Sequence, residues 1–167
     1  MKRPETRHDR FPGFHRAAQA NTVAGRLAAI DAALAAGIGH KLFTALVVNH
    51  AKGENQRYYS NQPTAYPVGG SKPINAVPST HREGVMAGEC RFLNDYAELS
   101  AAFADHALIR SLGCESCVNV PVRWNGQTIG MINLLHEAHW YSPSDVPELQ
   151  IHAALAAPAF LEIIGAW

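Results

Sequence analysis

The chain has 167 residues, of which 47% are hydrophobic and only 17% are charged, a composition that excludes intrinsic disorder. Its 14 basic and 14 acidic residues cancel, so no overall charge attracts it to nucleic acid or to an anionic membrane. No run approaches the roughly 20 apolar residues of a membrane-spanning helix. The N-terminus also lacks the apolar segment of a signal peptide.

The cysteine content favours a reducing compartment. Cys90, Cys114 and Cys117 are an odd number, which argues against the disulfide framework of a secreted protein. We therefore expect a cytoplasmic protein without nucleic-acid or membrane partners. Basic residues are concentrated in residues 1–15, which we interpret as a solvated arm preceding a single domain at 16–167.

The first half of the chain predicts a helix, a hairpin and a long connection. Residues 16–36 carry large apolar side chains at spacings of three and four, which is typical of a helix with one buried face. Asn21-Thr22 offers a cap for a shorter version of this helix. Residues 41–50 and 55–60 are strand-like and flank a Lys-Gly-Glu turn, so they predict a β-hairpin. Residues 61–78 contain four prolines and a Gly-Gly pair, which predict a long irregular connection.

The second half predicts two helices around a short strand, then a hairpin and a final helix. The helices are predicted at 79–89 and 96–112, with the strand at 90–93. In residues 116–136, valines alternate with other residues before an Asn-Gly dipeptide that favours a type I′ turn. The final helix, at 142–164, contains a proline that should kink or interrupt it. Hairpins covered by helices predict an α+β domain with an antiparallel sheet.

Three segments resemble the GAF family of domains. Residues 112–137, LGCESCVNVPVRWNGQTIGMINLLHE, resemble the final hairpin of that family. Residues 58–73, YYSNQPTAYPVGGSKP, and residues 103–114, FADHALIRSLGC, resemble one bacterial branch of it. No single motif is specific, but the ordered set covers roughly residues 20–164. The chain is therefore similar to a bacterial GAF-domain protein.

The resemblance implies a fold and a class of function. The fold is a six-stranded antiparallel sheet with the N- and C-terminal helices on one face and a ligand pocket on the other. Loops and short helices roof that pocket. The ligands of the family include cyclic nucleotides, tetrapyrroles, haem, small aromatics and amino acids. We expect a stand-alone sensory domain in signal transduction, a homodimer through its terminal helices, and an unknown small-molecule ligand.

Ten polar residues are candidates for ligand binding because they lie on segments expected to line or roof this pocket. An arginine can bind a carboxylate through two parallel hydrogen bonds, and an asparagine in an apolar strand is costly unless it is hydrogen-bonded. Ordinary structural hydrogen bonding is the competing interpretation for each of them. The candidates are Arg57, Tyr59, Tyr66, His81, Asp105, His106, Ser111, Cys114, Asn119 and Asn133.

Enzymatic thiol chemistry is the alternative interpretation. Cys114 and Cys117 form a CxxC motif, which suggests a redox pair or half of a zinc site. The motif runs into a predicted strand, whereas the redox version begins a helix, so a structural role is favoured. One GAF branch is the free methionine-R-sulfoxide reductase, but its catalytic cysteines do not align here, and only Cys90 lies near one of them. We therefore assign no catalytic residue.

The sequence gives little support for a metal site or for the other known ligands of the family. His136 and His139 share a predicted strand end, where residues three apart point to opposite faces, so no metal site is expected. Covalent bilin attachment would need a cysteine beside His106, and its neighbours are Asp105 and Ala107. Haem bound through His106 stays open. The residue pattern of cyclic-nucleotide-binding relatives is missing around Phe92.

Overall fold

A computed structural model describes residues 11–76 and 79–167 and contains a six-stranded antiparallel sheet. The strands are β1 (Leu42–Asn49), β2 (Glu54–Ser60), β3 (Ser71–Pro73), β4 (Arg91–Leu93), β5 (Ser116–Trp124) and β6 (Gln127–His136). Their order across the sheet is β3-β2-β1-β6-β5-β4. The helices are α1 (Phe11–Gln19), α2 (Val23–Gly37), α3 (Ser79–Ala87), α4 (Tyr96–Ala102), α5 (His106–Ser111) and α6 (Val146–Gly165). The α+β prediction is confirmed.

Helices α1, α2 and α6 cover one face of the sheet, and the larger apolar core lies between them and the strands. The alternating Val118, Val120 and Val122 of β5 all belong to this core and are fully buried. Beneath α6, a Cβ added at Gly130 of β6 would lie only 2.6 Å from Phe160 Cδ2. The close approach of α6 to the sheet therefore requires glycine at this position.

The predicted helix at 16–36 is two helices, α1 and α2. Thr22, between them, has an extended backbone, and its Oγ1 accepts a hydrogen bond from Gly25 N over 3.0 Å. This N-cap satisfies one of the free amides at the start of α2 and sets where that helix begins. Because α1 begins at Phe11, residues 11–15 of the predicted arm are helical. Residues 1–10 lie outside the described part of the chain.

The predicted hairpin at 116–136 is present as β5 and β6. Asn125 and Gly126 both have positive φ values, of 47° and 76°, as a type I′ turn requires. The two strands are paired from Ser116 opposite His136 to Trp124 opposite Gln127. The hairpin joins β4 on one side and β1 on the other, so it forms the centre of the sheet.

Shorter elements roof the second face of the sheet. The predicted connection at 61–78 also contains β3, which pairs with β2 at the edge of the sheet. The predicted helix at 96–112 is divided into α4 and α5, because Phe103 has an extended backbone between them. Arg123 of β5 connects α3 to the hairpin, because its Nη1 donates a hydrogen bond to Met86 O over 2.7 Å.

The final helix, α6, continues through Pro158, which the sequence predicts would kink or interrupt it. Pro158 lies on the exposed side of α6. Proline has no N–H group to donate to the carbonyl oxygen four residues earlier, and water can solvate that carbonyl group instead. None of the helices in the described residues is both long and apolar enough to cross a membrane.

Candidate ligand-binding site

The roofed face of the sheet encloses a cavity of about 190 Å³. Strands β1, β2, β4, β5 and β6 contribute side chains to it from below, and β3, α3 and the α4–α5 junction contribute from above. An engineered cavity of about 150 Å³ is known to admit benzene. The cavity is therefore large enough for a small organic molecule, but smaller than the roughly 300–1,000 Å³ of most drug-binding pockets.

A row of hydrogen-bonded polar side chains crosses the floor of the cavity. Asn119 of β5 lies opposite Asn133 of β6, and its Nδ2 donates to Asn133 Oδ1 over 2.6 Å. Asn133 Nδ2 in turn donates to Thr44 Oγ1 of β1 over 3.1 Å. Asn119 Nδ2 also contacts Cys117 Sγ at 3.4 Å. These bonds offset the cost of burying the two amides, and they give the floor a fixed polar stripe.

One wall of the cavity is built around Arg57 of β2. The Arg57 guanidinium lies 3.8 Å from the centre of the Tyr66 ring, and its Nη1 donates to Pro67 O over 2.7 Å. The Tyr66 hydroxyl donates to Asp105 Oδ2 over 2.6 Å, and Lys72 Nζ donates to the other carboxylate oxygen over 3.1 Å. This chain of contacts ties the proline-rich connection to the start of α5.

The charges around Asp105 are matched locally. Burial by itself raises the pKa of Asp105, but the hydrogen bond from Tyr66 and the charge and hydrogen bond of Lys72 outweigh it. The pKa of Asp105 is therefore held below its ordinary value, and the group is a carboxylate at neutral pH. Lys72 consequently brings no uncompensated charge to the cavity.

The opposite wall is formed by Arg91 of β4. Its Nε and Nη2 atoms are buried and have no hydrogen-bond partner among the described residues. The Arg91 guanidinium lies 5.9 Å from the centre of the Phe103 ring. Burial lowers the pKa of Arg91, and the neighbouring Cys117 partly opposes this shift. Buried guanidinium donors without partners are costly, unless something that enters the cavity completes their hydrogen bonds.

The described cavity lining is strongly basic. Four of its side chains are cationic, namely Arg57, Lys72, Arg82 and Arg91, and none is a carboxylate. The remainder of the lining is mostly apolar, with Met131, Ile109 and Phe103 among the larger side chains. The site is therefore suited to a molecule that has both an anionic group and an apolar part.

Comparison with known proteins identifies the family. The family model described as GAF domain matches residues 19–160, which is most of the chain. The chain belongs to the GAF family. No curated protein matches it.

Solved structures of other proteins superimpose on this GAF domain. One is a methyl-accepting chemotaxis protein, residues 122 to 287, with a TM-score of 0.67 and 18% identity over 92% of this chain and 98% of that one. A second is the chromophore-binding domain of a bacteriophytochrome from R. palustris, with a TM-score of 0.69 and 11% identity over 98% of this chain and 65% of that one. A third is the GAF domain of the Acinetobacter phosphoenolpyruvate-protein phosphotransferase, with a TM-score of 0.72 and 10% identity over 97% and 98%. These identities establish a likeness of fold alone.

The GAF fold brings four of the ten candidate residues to the cavity itself. Arg57, Tyr66, Asn119 and Asn133 line it, on β2, the proline-rich connection, β5 and β6. Asp105 supports this group from behind by bonding to Tyr66.

The other candidates lie elsewhere or outside the description. Tyr59 belongs to the opposite face of the sheet, where its hydroxyl donates to Asp31 Oδ2 of α2 over 2.7 Å. His106 does not line the cavity, and its Nδ1 lies 2.7 Å from the Tyr96 hydroxyl. Ser111 is exposed and donates to Leu108 O. Cys114 is fully buried in a smaller apolar cluster, and the side chain of His81 lies outside the described residues.

The cysteines of this GAF domain are poorly placed for nucleophilic chemistry. Burial raises the pKa of Cys114 to about 11 and that of Cys117 to about 12, and it also raises the pKa of Cys90. A thiol is reactive as its thiolate, which these groups do not form to any extent at neutral pH. All three cysteines are free, and the described residues contain no cluster of metal-ligating side chains.

The cavity also contains polar residues that the sequence did not predict, namely Thr44, Asn55, Lys72, Arg82 and Arg91. Arg91 could have been found, because it begins a strand in which the next residues are apolar, and a charged side chain there needs a partner just as the strand asparagines do. No local pattern marks Lys72 or Arg82, which reach the cavity only because the loop and α3 fold over the sheet.

Proposed function

We propose that this GAF domain is a sensory or regulatory module that binds a small, partly apolar organic anion in its roofed cavity. The observation that carries the proposal is the basic lining, with four cationic side chains and no carboxylate among the described residues. Anions recognised by arginine gain charge-assisted hydrogen bonds, which are stronger than neutral ones. The apolar part of the lining would take up the hydrocarbon portion of the ligand.

The cavity also has the features of a recognition site rather than of a packing defect. Its polar floor is hydrogen-bonded across three strands, so the asparagines are held in fixed orientations. Arg57 is likewise held by Pro67 and Tyr66. Groups that are fixed before the ligand arrives lose little entropy on binding.

The test is a thermal-shift screen of the full chain with small aliphatic and aromatic carboxylates, compared with their amides. A ligand present at about 100 times its Kd stabilises a protein by about 2.7 kcal/mol, which shifts the Tm of a domain of this size by several degrees. We expect carboxylates to raise the Tm and their neutral amides to leave it unchanged. If no compound of either kind raises the Tm, the proposal fails.

A matched pair of variants locates the binding site. Ala102 lines the cavity at the end of α4, whereas the neighbouring Ala101 is exposed. Ala102→Phe should fill the cavity and abolish the ligand-induced shift, and Ala101→Phe should retain it. Equal shifts in the two variants would place the ligand elsewhere on the protein.

We further propose that the domain is cytoplasmic and forms a homodimer through its terminal helices. The exposed side of α2 consists of small residues, namely Ala24, Gly25, Ala28, Ala32, Ala35 and Ala36. The adjacent α6 exposes Ile151, and a close helix-to-helix contact needs this kind of uncharged surface.

Ile151 and Trp124 are both 47% exposed, but Trp124 lies at the tip of the β5–β6 hairpin. Light scattering should therefore show a monomer for Ile151→Asp and a dimer for Trp124→Asp.

A further inference from the structure

We infer that the ligand is a dianion of the dicarboxylate class, with one carboxylate bound by Arg91 and the other by Arg57. This inference rests on the proposed function and specifies its ligand. It follows from the positions of the two guanidinium groups, from the hydrogen-bond donors they leave without partners, and from the charge that remains in the cavity after Lys72 is paired.

The two arginines lie on strands at opposite ends of the cavity floor, on the same face of the sheet. Arg91 lies opposite Asn119, which continues through Asn133 to Thr44 as one row of paired residues across β4, β5, β6 and β1. Arg57 is on β2, beyond that row, and lies opposite Leu46. The backbones of β4 and β2 are four strand spacings apart, or roughly 19 Å at about 4.8 Å each. The two side chains therefore reach the cavity from strands on either side of its floor.

Each guanidinium retains donors suited to a carboxylate. In Arg91, Nε and Nη2 are both buried and have no partner among the described residues. These two atoms form the side-on fork that binds both oxygens of a carboxylate. In Arg57, Nη1 is occupied by Pro67 O, whereas the buried Nε has no partner among the described residues. The bond to Pro67 thus orients Arg57 and leaves its Nε edge for a ligand.

The unpaired positive charges of the cavity indicate a ligand with two negative groups. Lys72 is already paired with Asp105 at 3.1 Å. Arg82 lines both the cavity and a separate outer groove beside Lys52 and Glu54, so it lies at the mouth. Arg57 and Arg91 form no salt bridge with a described residue. A ligand with two carboxylates would compensate both charges, whereas a monoanion would leave one buried charge unpaired.

The space between the two arginines suits a short hydrocarbon chain. The row of Asn119, Asn133 and Thr44 lies below it, and Phe103 and Ile109 of the roof side provide apolar contacts. Methylene groups can therefore pack against the roof while the ends of the ligand bind the arginines. A cavity of about 190 Å³ limits the chain to a few carbon atoms.

Calorimetric titration of the full chain tests the inference with two matched series. The dicarboxylates succinate, glutarate, adipate and pimelate are compared with the monocarboxylates of the same carbon number. One additional charge-assisted contact changes affinity by about tenfold or more, so the best dicarboxylate should bind at least about tenfold more tightly than its monocarboxylate. Arg91→Gln should abolish most of this advantage, and Arg110→Gln, at an exposed arginine paired with Glu115, should preserve it.

Arg91→Gln is also expected to fold, because Nε and Nη2 have no hydrogen bonds to lose and the variant removes an unpaired charge. Its Tm without ligand should equal or exceed that of the wild type. Arg57→Gln tests the other end, with circular dichroism to check that the Pro67 connection survives. Equal binding of mono- and dicarboxylates overturns the dianion inference and leaves the proposed function standing. The same conclusion follows if no dicarboxylate binds, but another anion of the screen binds and Ala102→Phe blocks its binding. If no anion binds, both proposals fail.

Discussion

Asn119 and Asn133 face each other in the centre of the sheet, and Asn119 Nδ2 donates to Asn133 Oδ1 over 2.6 Å beneath the cavity. Both side chains are at least nine-tenths buried, with exposures of 5% and 8%. Each amide therefore depends on its neighbour for hydrogen bonding. The pair lies within the β5–β6 hairpin, and the bond from Asn133 to Thr44 extends this polar floor of the candidate site to β1.

Breaking this pair should destabilise the domain. Asn119→Val leaves Asn133 Oδ1 buried without its donor, which costs about 1–3 kcal/mol in the free energy of unfolding. The double variant Asn119→Val/Asn133→Val removes both partners and should be more stable than the sum of the single variants predicts. Urea denaturation of the four proteins measures the coupling. Strictly additive losses would show that the two amides do not depend on each other.

The Tyr66–Asp105 bond should give stability that depends on pH. The pKa of Asp105 is lower in the folded domain than its ordinary value of 3.8, so the unfolded chain binds the proton more readily. The stabilisation is therefore complete above the ordinary pKa, and it is lost as the pH falls through the folded pKa. Tyr66→Phe removes the hydrogen bond and should raise the pKa of Asp105.

The measurement is the free energy of unfolding of wild type and Tyr66→Phe over a range of pH. The difference between them should be largest near neutral pH and should shrink in acid. Carboxyl-carbon NMR titration reports the pKa of Asp105 directly. A difference that stays constant down to acid pH would mean that Tyr66 acts only through packing.

The thiols should react slowly in the folded state. Since burial raises the pKa of Cys114 to about 11 and of Cys117 to about 12, iodoacetamide should modify neither group appreciably at neutral pH. The half-buried Cys90 should react first, and a Cys90→Ser variant should remove that phase. Denaturant should expose the other two. Rapid modification of Cys114 or Cys117 in the folded Cys90→Ser variant would instead support the thiol-dependent alternative.

The same pKa shifts predict a loss of stability in alkali. The ordinary thiol pKa is 9.0, so the unfolded chain ionises before the folded one does. The stabilisation by the neutral buried thiols is complete below pH 9.0, and it declines as the pH rises through the folded values. Denaturant titrations of the wild type on both sides of this range measure the decline.

Gly130 should tolerate no side chain. A Cβ at this position would strike the Leu46 carbonyl oxygen and the Phe160 ring, and the backbone of β1 cannot move without disturbing the sheet. We expect Gly130→Ala to lower the free energy of unfolding by about 1–3 kcal/mol or more. Gly165→Ala is the matched control, because nothing lies near its Cβ position at the end of α6. Equal stabilities of the two variants would contradict the close packing of α6 on the sheet.

Local sequence patterns were sufficient for the elements whose signals are short-range. The β5–β6 hairpin follows from alternating valines and an Asn-Gly turn, and both features act between neighbouring residues. The asparagines of that hairpin were recognised for the same reason, since an amide in an apolar strand needs a partner wherever the strand lies. Asn21-Thr22 is also recognisable as a cap for a shorter first helix, and Thr22 is the N-cap of α2. No local signal predicts the division at Phe103, because helical periodicity continues across that residue, whose extended backbone separates α4 from α5.

The sequence by itself thus determined the type of sheet, its central hairpin and its helical cover, because hydrophobic periodicity and turn residues encode them locally. Only the tertiary structure decided which polar side chains share the cavity. Arg57 and Arg91 are 34 positions apart in the numbering and lie on strands separated by three others, so no local spacing relates them. They face one cavity because the sheet places β2 and β4 on opposite sides of the same floor. The basic character of the site is a property of that arrangement.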